Sequence, residues 1–122
     1  MGRHLKPDRA AKNGVDSGWI GGFHNQIEFD YSAEGFTRQL ESSLQRIGLG
    51  YIDSLVIHDL EPYFRRRADD NGLGSARRDL GILQESGFAC LQKMRSDGTI
   101  GAFGAGTLAS VETELRLPAF LL

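Results

Sequence analysis

The sequence has a single cysteine, three prolines and almost no net charge, a formal -2 at pH 7. One thiol, Cys90, excludes an internal disulfide framework and removes any need for an oxidising compartment. It sits inside a helical apolar pattern and reads as a small buried hydrophobe rather than a nucleophile. No apolar run approaches the roughly 20 residues that cross a bilayer as a helix. The first residues, MGRHLKPDRAAKNG, lack the apolar stretch of a secretory signal. A nearly balanced charge gives no electrostatic case for nucleic acid or an anionic membrane as a partner. The cytoplasm is the expected location.

Other absences narrow the chemistry. His4, His24 and His58 follow no HxH, HExxH or CxxC spacing, so no metal site is expected. His58 and Asp59 could supply two ligands, but nothing provides a clear third. There is no Walker A motif. Gly101, Gly104 and Gly106 are spaced GxxGxG rather than GxGxxG, and no acidic residue follows about twenty positions on, so a Rossmann fingerprint is not expected. Arginines cluster at Arg65, Arg66, Arg67, Arg77 and Arg78. Glu61, Asp69, Asp70 and Asp79 flank them, which reads as a solvated loop rather than an anion site.

What is present suits a soluble globular domain: 122 residues, 40% hydrophobic and 25% charged. Glycines at 2, 14, 18, 21 and 22, with Pro7, punctuate residues 1 to 29 and predict loop. Within it, Trp19, Ile20 and Phe23 either plug the base of a loop or line a ligand pocket, with packing the preferred reading. Ser32 is placed to cap a helix with Glu34 in its first turn. Phe36, Leu40, Leu44 and Ile47 fall on one helical face, and Gly48 then Leu49 make a C-terminal stop.

Tyr51 to Ile57 follows as a strand. Its continuous Leu55-Val56-Ile57 predicts burial on both faces, as in a parallel sheet covered by helices. Residues 62 to 76 read as loop. A second helix is predicted over 77 to 97, with Leu80, Leu83, Gly87, Leu91 and Met94 on one stripe, Phe88 beside it, and Gly98 ending it. Thr99 to Ala105 reads as a strand whose glycines allow close approach. Residues 111 to 117 predict a further helix, and 119 to 122 one more strand. Helices and strands alternating at this spacing imply an α/β fold with a parallel sheet.

His58 ends a strand. There a histidine is either a structural residue or, in a barrel, one that faces the catalytic mouth.

Four segments carry a resemblance: GRHLKP at 2–7, FDYSAEGF at 29–36, SLQRIGLGYIDSLVIHD at 43–59 and MRSDGTIGAFGAG at 94–106. Together they resemble the aldo-keto reductase family, most nearly the bacterial branch of sugar and pyridoxal dehydrogenases, over about residues 2 to 107. The resemblance implies a (β/α)8 TIM barrel, here partial: parallel strands alternating with helices, incomplete at both ends. Residues 1–107 would be the barrel portion and 108–122 a divergent tail.

The resemblance also implies hydride transfer between NAD or NADP and a sugar or other small carbonyl. In the family an aspartate, a tyrosine, a lysine and a histidine share the work. His58 matches the histidine, which orients and polarises the substrate oxygen. Trp19 and Asp59 are the candidates for substrate contact.

The remaining three do not carry over. The family's aspartate and tyrosine lie upstream of the GR turn, its lysine would fall just before Met1, and Lys6 is not its replacement. Leu108 stands where the family places an asparagine against the nicotinamide. The chain is therefore expected to lack the first part of the barrel and, alone, to neither bind the cofactor nor turn over. It could instead act through association or fragment complementation, using exposed sheet edges. A weaker reading is a different barrel enzyme using His58 and Asp59 with a metal.

Overall fold

A computed structural model describes residues 1–7, 25–58 and 73–106. Strands β1 (Arg3–Pro7) and β2 (Asn25–Phe29) pair antiparallel, from Arg3 opposite Phe29 to Pro7 opposite Asn25. Helix α1 (Ala33–Ile47) leads into strand β3 (Ile52–His58). Helix α2 (Leu73–Ile82), one π-helical turn (Leu83–Gly87) and helix α3 (Phe88–Ser96) then run on to strand β4 (Ile100–Gly106). β3 and β4 are parallel, with Ile52 opposite Ile100 and His58 opposite Gly106. Strand, crossover helices and parallel strand make one βαβ unit, as the alternation implied.

The first helix forms where its punctuation says it should. The Ser32 side chain accepts from the Gly35 amide, Glu34 lies in the first turn, and Arg46 is in the last. Such a cap contributes about 1 kcal/mol. Gly48 closes the helix at φ 69°, its N–H donating to the Leu44 carbonyl, and Leu49 donates to the same oxygen. Phe36 and Leu40 are buried and Leu44 packs beside them, but Ile47 is 56% exposed. The fourth fully enclosed position of α1 besides Gly35 is polar, Gln39.

The core lies between these helices and one side of the β3–β4 sheet. Tyr31, Phe36, Leu40, Leu55, Ile57, Leu83, Leu91, Met94 and Ile100 form it. Each large apolar side chain of this set gains about 1.5–3 kcal/mol from burial. The predicted stripe from Leu83 through Gly87 and Leu91 to Met94 is buried, with Leu80 and Phe88 half-buried. Gly87 could not be larger: a Cβ there would meet the Tyr31 carbonyl and the Phe36 ring.

Four expectations are corrected. Residues 3–7 and 25–29 are strands, not loop; neither contains a glycine, and Gly14, Gly18, Gly21 and Gly22 all fall between them. The crossover helix begins at Leu73, so Arg77 and Arg78 are exposed on a helix rather than in a loop. That helix also contains a π turn, in which the Phe88 amide reaches back to the Leu83 carbonyl. Finally, β3 is not covered on both faces: Leu55 and Ile57 are buried, whereas Val56 between them is 51% exposed. Trp19, Asp59, Arg65–Arg67, Leu108 and the segments 111–117 and 119–122 lie outside the described residues.

Candidate functional site

The carboxyl end of β3 is held from two directions. The His58 amide donates to the Met1 carbonyl at 2.7 Å, while the Met1 amino group donates to the Val56 carbonyl at 2.6 Å. This is the bonding of a parallel neighbour, so Met1 lies alongside β3 on the side away from β4. The His58 carbonyl in turn accepts a bond from the Tyr31 hydroxyl at 3.0 Å. The backbone of His58 is thus tied on both sides. Its side chain is exposed.

Tyr31 reaches that carbonyl because its own ring is locked. It is 1% exposed, stacks on Phe29 with centroids 6.5 Å apart and meets Phe36 edge-on at 6.3 Å. Gly2, at φ 91°, lies against the same ring with no room for a Cβ. The Gly2 amide donates to Gln39 Oε1 at 3.0 Å, the Gly2 carbonyl accepts from the Asp30 amide at 2.9 Å, and Gln39 Nε2 donates to the Asp30 carbonyl at 3.1 Å. Gln39 therefore satisfies both ends of its amide inside the core, as a buried polar group must.

Asp30 anchors the start of α1. Its carboxylate accepts from the Ser32 hydroxyl at 2.7 Å, the Ser32 amide at 3.1 Å and Arg38 Nη2 at 2.9 Å. Burial pushes its acidity toward higher pKa. The two Ser32 bonds and the Arg38 guanidinium outweigh that and hold the carboxyl below its ordinary range.

Ser54, Val56 and His58 are exposed on the side of β3 away from Leu55 and Ile57, with Ala102, Gly104 and Gly106 opposite them in register. Gly104 has open space where a Cβ would stand, whereas one at Gly106 would come 2.7 Å from Val56 Cγ1. No group of three or more metal-ligating side chains occurs among the described residues. An imidazole can donate or accept a hydrogen bond, and that of His58 is exposed at the last residue of β3. Tyr31 cannot supply the proton, because its hydroxyl is committed to the His58 carbonyl and its ring is enclosed.

The sequence profile of the Aldo/keto reductase family matches residues 21–113. The chain belongs to the aldo/keto reductase family. It is 34% identical over 105 residues to the pyridoxal 4-dehydrogenase of Microbacterium luteolum, covering 86% of this chain and 29% of that protein. It is 31% identical over 83 residues to the D-threo-aldose 1-dehydrogenase of a Pseudomonas species, covering 68% of this chain and 21% of that one. Its fold superposes on the glycerol dehydrogenase of Gluconobacter oxydans with a TM-score of 0.54, at 20% identity, over 99% of this chain and 28% of that structure. The chain thus spans under a third of the length of the relatives it matches, and its strands and helices are part of an aldo/keto reductase barrel, with no closed barrel among the described residues.

Within that family the described residues can be set against the nicotinamide dinucleotide. Of the six side positions on the open β3–β4 surface, Ser54 and His58 alone carry polar side chains. A pyrophosphate calls for helix-terminal amides or cationic groups around it, and this surface, among the described residues, offers neither. The dinucleotide does not fit these residues by themselves, and no step through it is derived. Of the sequence-predicted site residues the structure places His58 at the strand end; Trp19 and Asp59 lie outside the described residues. Sequence reasoning missed Tyr31 and Gln39. The only hint was that Gln39 interrupts the apolar face of α1 beside Leu40.

Proposed function

We propose that this chain is one arc of an NAD(P)-dependent aldo-keto reductase-type oxidoreductase, with His58 polarising the carbonyl oxygen of a sugar or similar small substrate. The observation that supports this most is the exposed His58 side chain at the carboxyl end of β3, on a backbone pinned by Met1 and Tyr31. Barrel enzymes assemble their chemistry at that end of the strands. An N–H aimed where negative charge develops on the substrate oxygen is worth most on a rigid support.

The imidazole alone does not complete a reaction. Carbonyl reduction also needs a proton donor within hydrogen-bonding reach of the oxygen, and Tyr31 is not free to serve. In this reading residues 1–107 are the barrel portion and 108–122 a divergent tail. The protein works in the cytoplasm, and the 122-residue chain by itself neither holds the cofactor nor turns over. The named activities of the two dehydrogenases it resembles support a sugar or pyridoxal-like carbonyl as substrate.

The coding DNA upstream of Met1 tests this. An in-frame segment with an aspartate, a tyrosine and a lysine just before Met1 is expected to yield a protein that reduces small carbonyls with NAD(P)H and loses this on His58→Ala. Turnover that survives His58→Ala would remove the histidine from the mechanism. Reduction by the pure 122-residue protein, or quenching of NAD(P)H fluorescence on titration with it, would overturn the claim that the arc is inert.

A second reading is favoured by the uncovered face. Val56 is 51% exposed on a two-stranded parallel sheet, an arrangement prone to association. In that reading the chain acts by pairing with itself or with a complementary barrel fragment. A sharp monomer in sizing at micromolar concentration would count against it.

A further inference from the structure

The histidine is exposed, yet its backbone is held from two directions. The His58 carbonyl takes the Tyr31 hydroxyl at 3.0 Å and the His58 amide gives to Met1 at 2.7 Å. Met1 has its own support, since the next residue, Gly2, is gripped at its amide by Gln39 and at its carbonyl by Asp30. Both grips lead back to the Asp30-Tyr31 link and to the buried face of α1. Gln39 is 4% exposed and Tyr31 1%. Gly2 presses on the Tyr31 ring too closely for any side chain. One small cluster therefore sets the level of two neighbouring strand ends at once.

We propose that Tyr31 and Gln39 are positioning residues, with Tyr31 fixing the strand end that presents the His58 imidazole and Gln39 fixing the Met1–Gly2 segment beside it. Neither touches substrate or cofactor. Tyr31 acts through the His58 carbonyl, and Gln39 acts through Gly2 and then through the Met1 carbonyl that receives the His58 amide. The pairing of phenol and amide suits this use. Tyrosine brings a rigid ring whose packing aims one hydroxyl, and the glutamine amide accepts from one strand segment while donating to another. A catalytic donor must be held within about 0.5 Å of its productive place, and these two side chains supply that hold from the helix layer.

The proposal rests on the reading of His58 as the oxygen-polarising residue, but its test reads geometry and not activity, so the two can fail separately. Isotope-labelled 122-residue protein is compared with Tyr31→Phe and Gln39→Met by amide hydrogen exchange and carbonyl ¹³C shifts. In Tyr31→Phe the His58 carbonyl resonance is expected to move upfield, and the His58 amide to exchange about three- to tenfold faster, the worth of one net hydrogen bond. The Leu55 and Ile57 amides, on the side paired with β4, should hold their rates. Gln39→Met should raise exchange at Gly2 and His58 by a similar factor while leaving the His58 carbonyl shift in place.

A purely structural role predicts something else: rates rising together at Leu55, Ile57 and His58 in step with the fall in melting temperature. That uniform pattern, or an unmoved His58 in both variants, overturns the proposal. Should Tyr31→Phe fail to fold, incorporation of 3-fluorotyrosine keeps the ring and makes the phenol a stronger donor. The His58 carbonyl must then shift downfield by more than that of Ile57, and equal shifts at the two overturn the assignment.

Discussion

The two faces of the β3–β4 sheet have opposite fates although one run of residues builds both. Toward the helices, Leu55 and Ile57 are buried in one cluster with Phe36, Leu40, Leu83, Leu91 and Met94. Away from them, Val56 and His58 are open. Stability is therefore concentrated on one side and candidate chemistry on the other, joined by the backbone of β3 and by the Tyr31 hydroxyl that crosses to the His58 carbonyl. In an aldo/keto reductase barrel the open side is the lumen.

The comparison breaks first on the enclosed side. Phe36→Ala removes a fully buried ring that meets Tyr31 edge-on, and should cost about 3–5 kcal/mol. A urea midpoint reads it, and a loss under 1 kcal/mol would mean that the helices do not cover β3 as described. Gly87→Ala is the converse, adding one methyl where the Tyr31 carbonyl and the Phe36 ring already stand. Overpacking of that kind costs about 1–3 kcal/mol. Gly104→Ala, on the open face with nothing near its Cβ, is the control and should be close to neutral in the same assay.

A smaller effect tests the link between the faces by pH. Because Asp30 is held below the ordinary carboxyl range in the folded chain, its ionised form is the one that folding favours. Its contribution is fully present above the unfolded value of about 3.9 and is lost as pH falls through the lower folded value. Asp30→Asn should therefore flatten the acid limb of a stability–pH curve and lower the plateau at pH 7. Arg38 is half exposed, so screening leaves most of that plateau loss to the two Ser32 bonds. Ser32→Ala, which also removes the helix cap, should cost about 1 kcal/mol. A curve for Asp30→Asn parallel to that of the unmodified chain below pH 4 would contradict the assignment.

Where the sequence was legible, the reason was local. Ser32, Glu34 and Gly48 act within their own helix turn, so they bound α1 without any distant partner. The apolar run Leu55-Val56-Ile57 places His58 at a strand end, as observed, and the resemblance carried by GLGYIDSLVIHD adds only an expected role. What escaped depended on partners far along the chain. β1 and β2 are held by each other across the segment between them, so glycines lying outside both strands misled a count taken over the whole stretch. The exposure of Val56 depends on whether neighbouring strands cover that face, which a continuous Leu-Val-Ile run cannot report. Gln39 drew no reading from the sequence, because the Gly2 amide that it accepts from lies 37 positions away.

The smallest expected effect is the one that separates the faces most cleanly. Val56→Thr keeps β-branching and nearly the same volume while placing a hydroxyl on the open surface. Within a closed core that change leaves a polar group buried and costs on the order of 1–3 kcal/mol. At a half-exposed site it should stay within about 0.5 kcal/mol. Ile57→Thr, one residue on and 1% exposed, introduces a hydroxyl into the buried cluster and also removes one carbon from it. The difference between the two melts thus measures how far the faces differ, free of any assumption about catalysis. If the chain pairs through its open sheet, Val56→Thr acquires a cost that grows with protein concentration, because association buries the site. A concentration-independent Val56→Thr beside a strongly destabilised Ile57→Thr leaves the asymmetry as a property of the single chain.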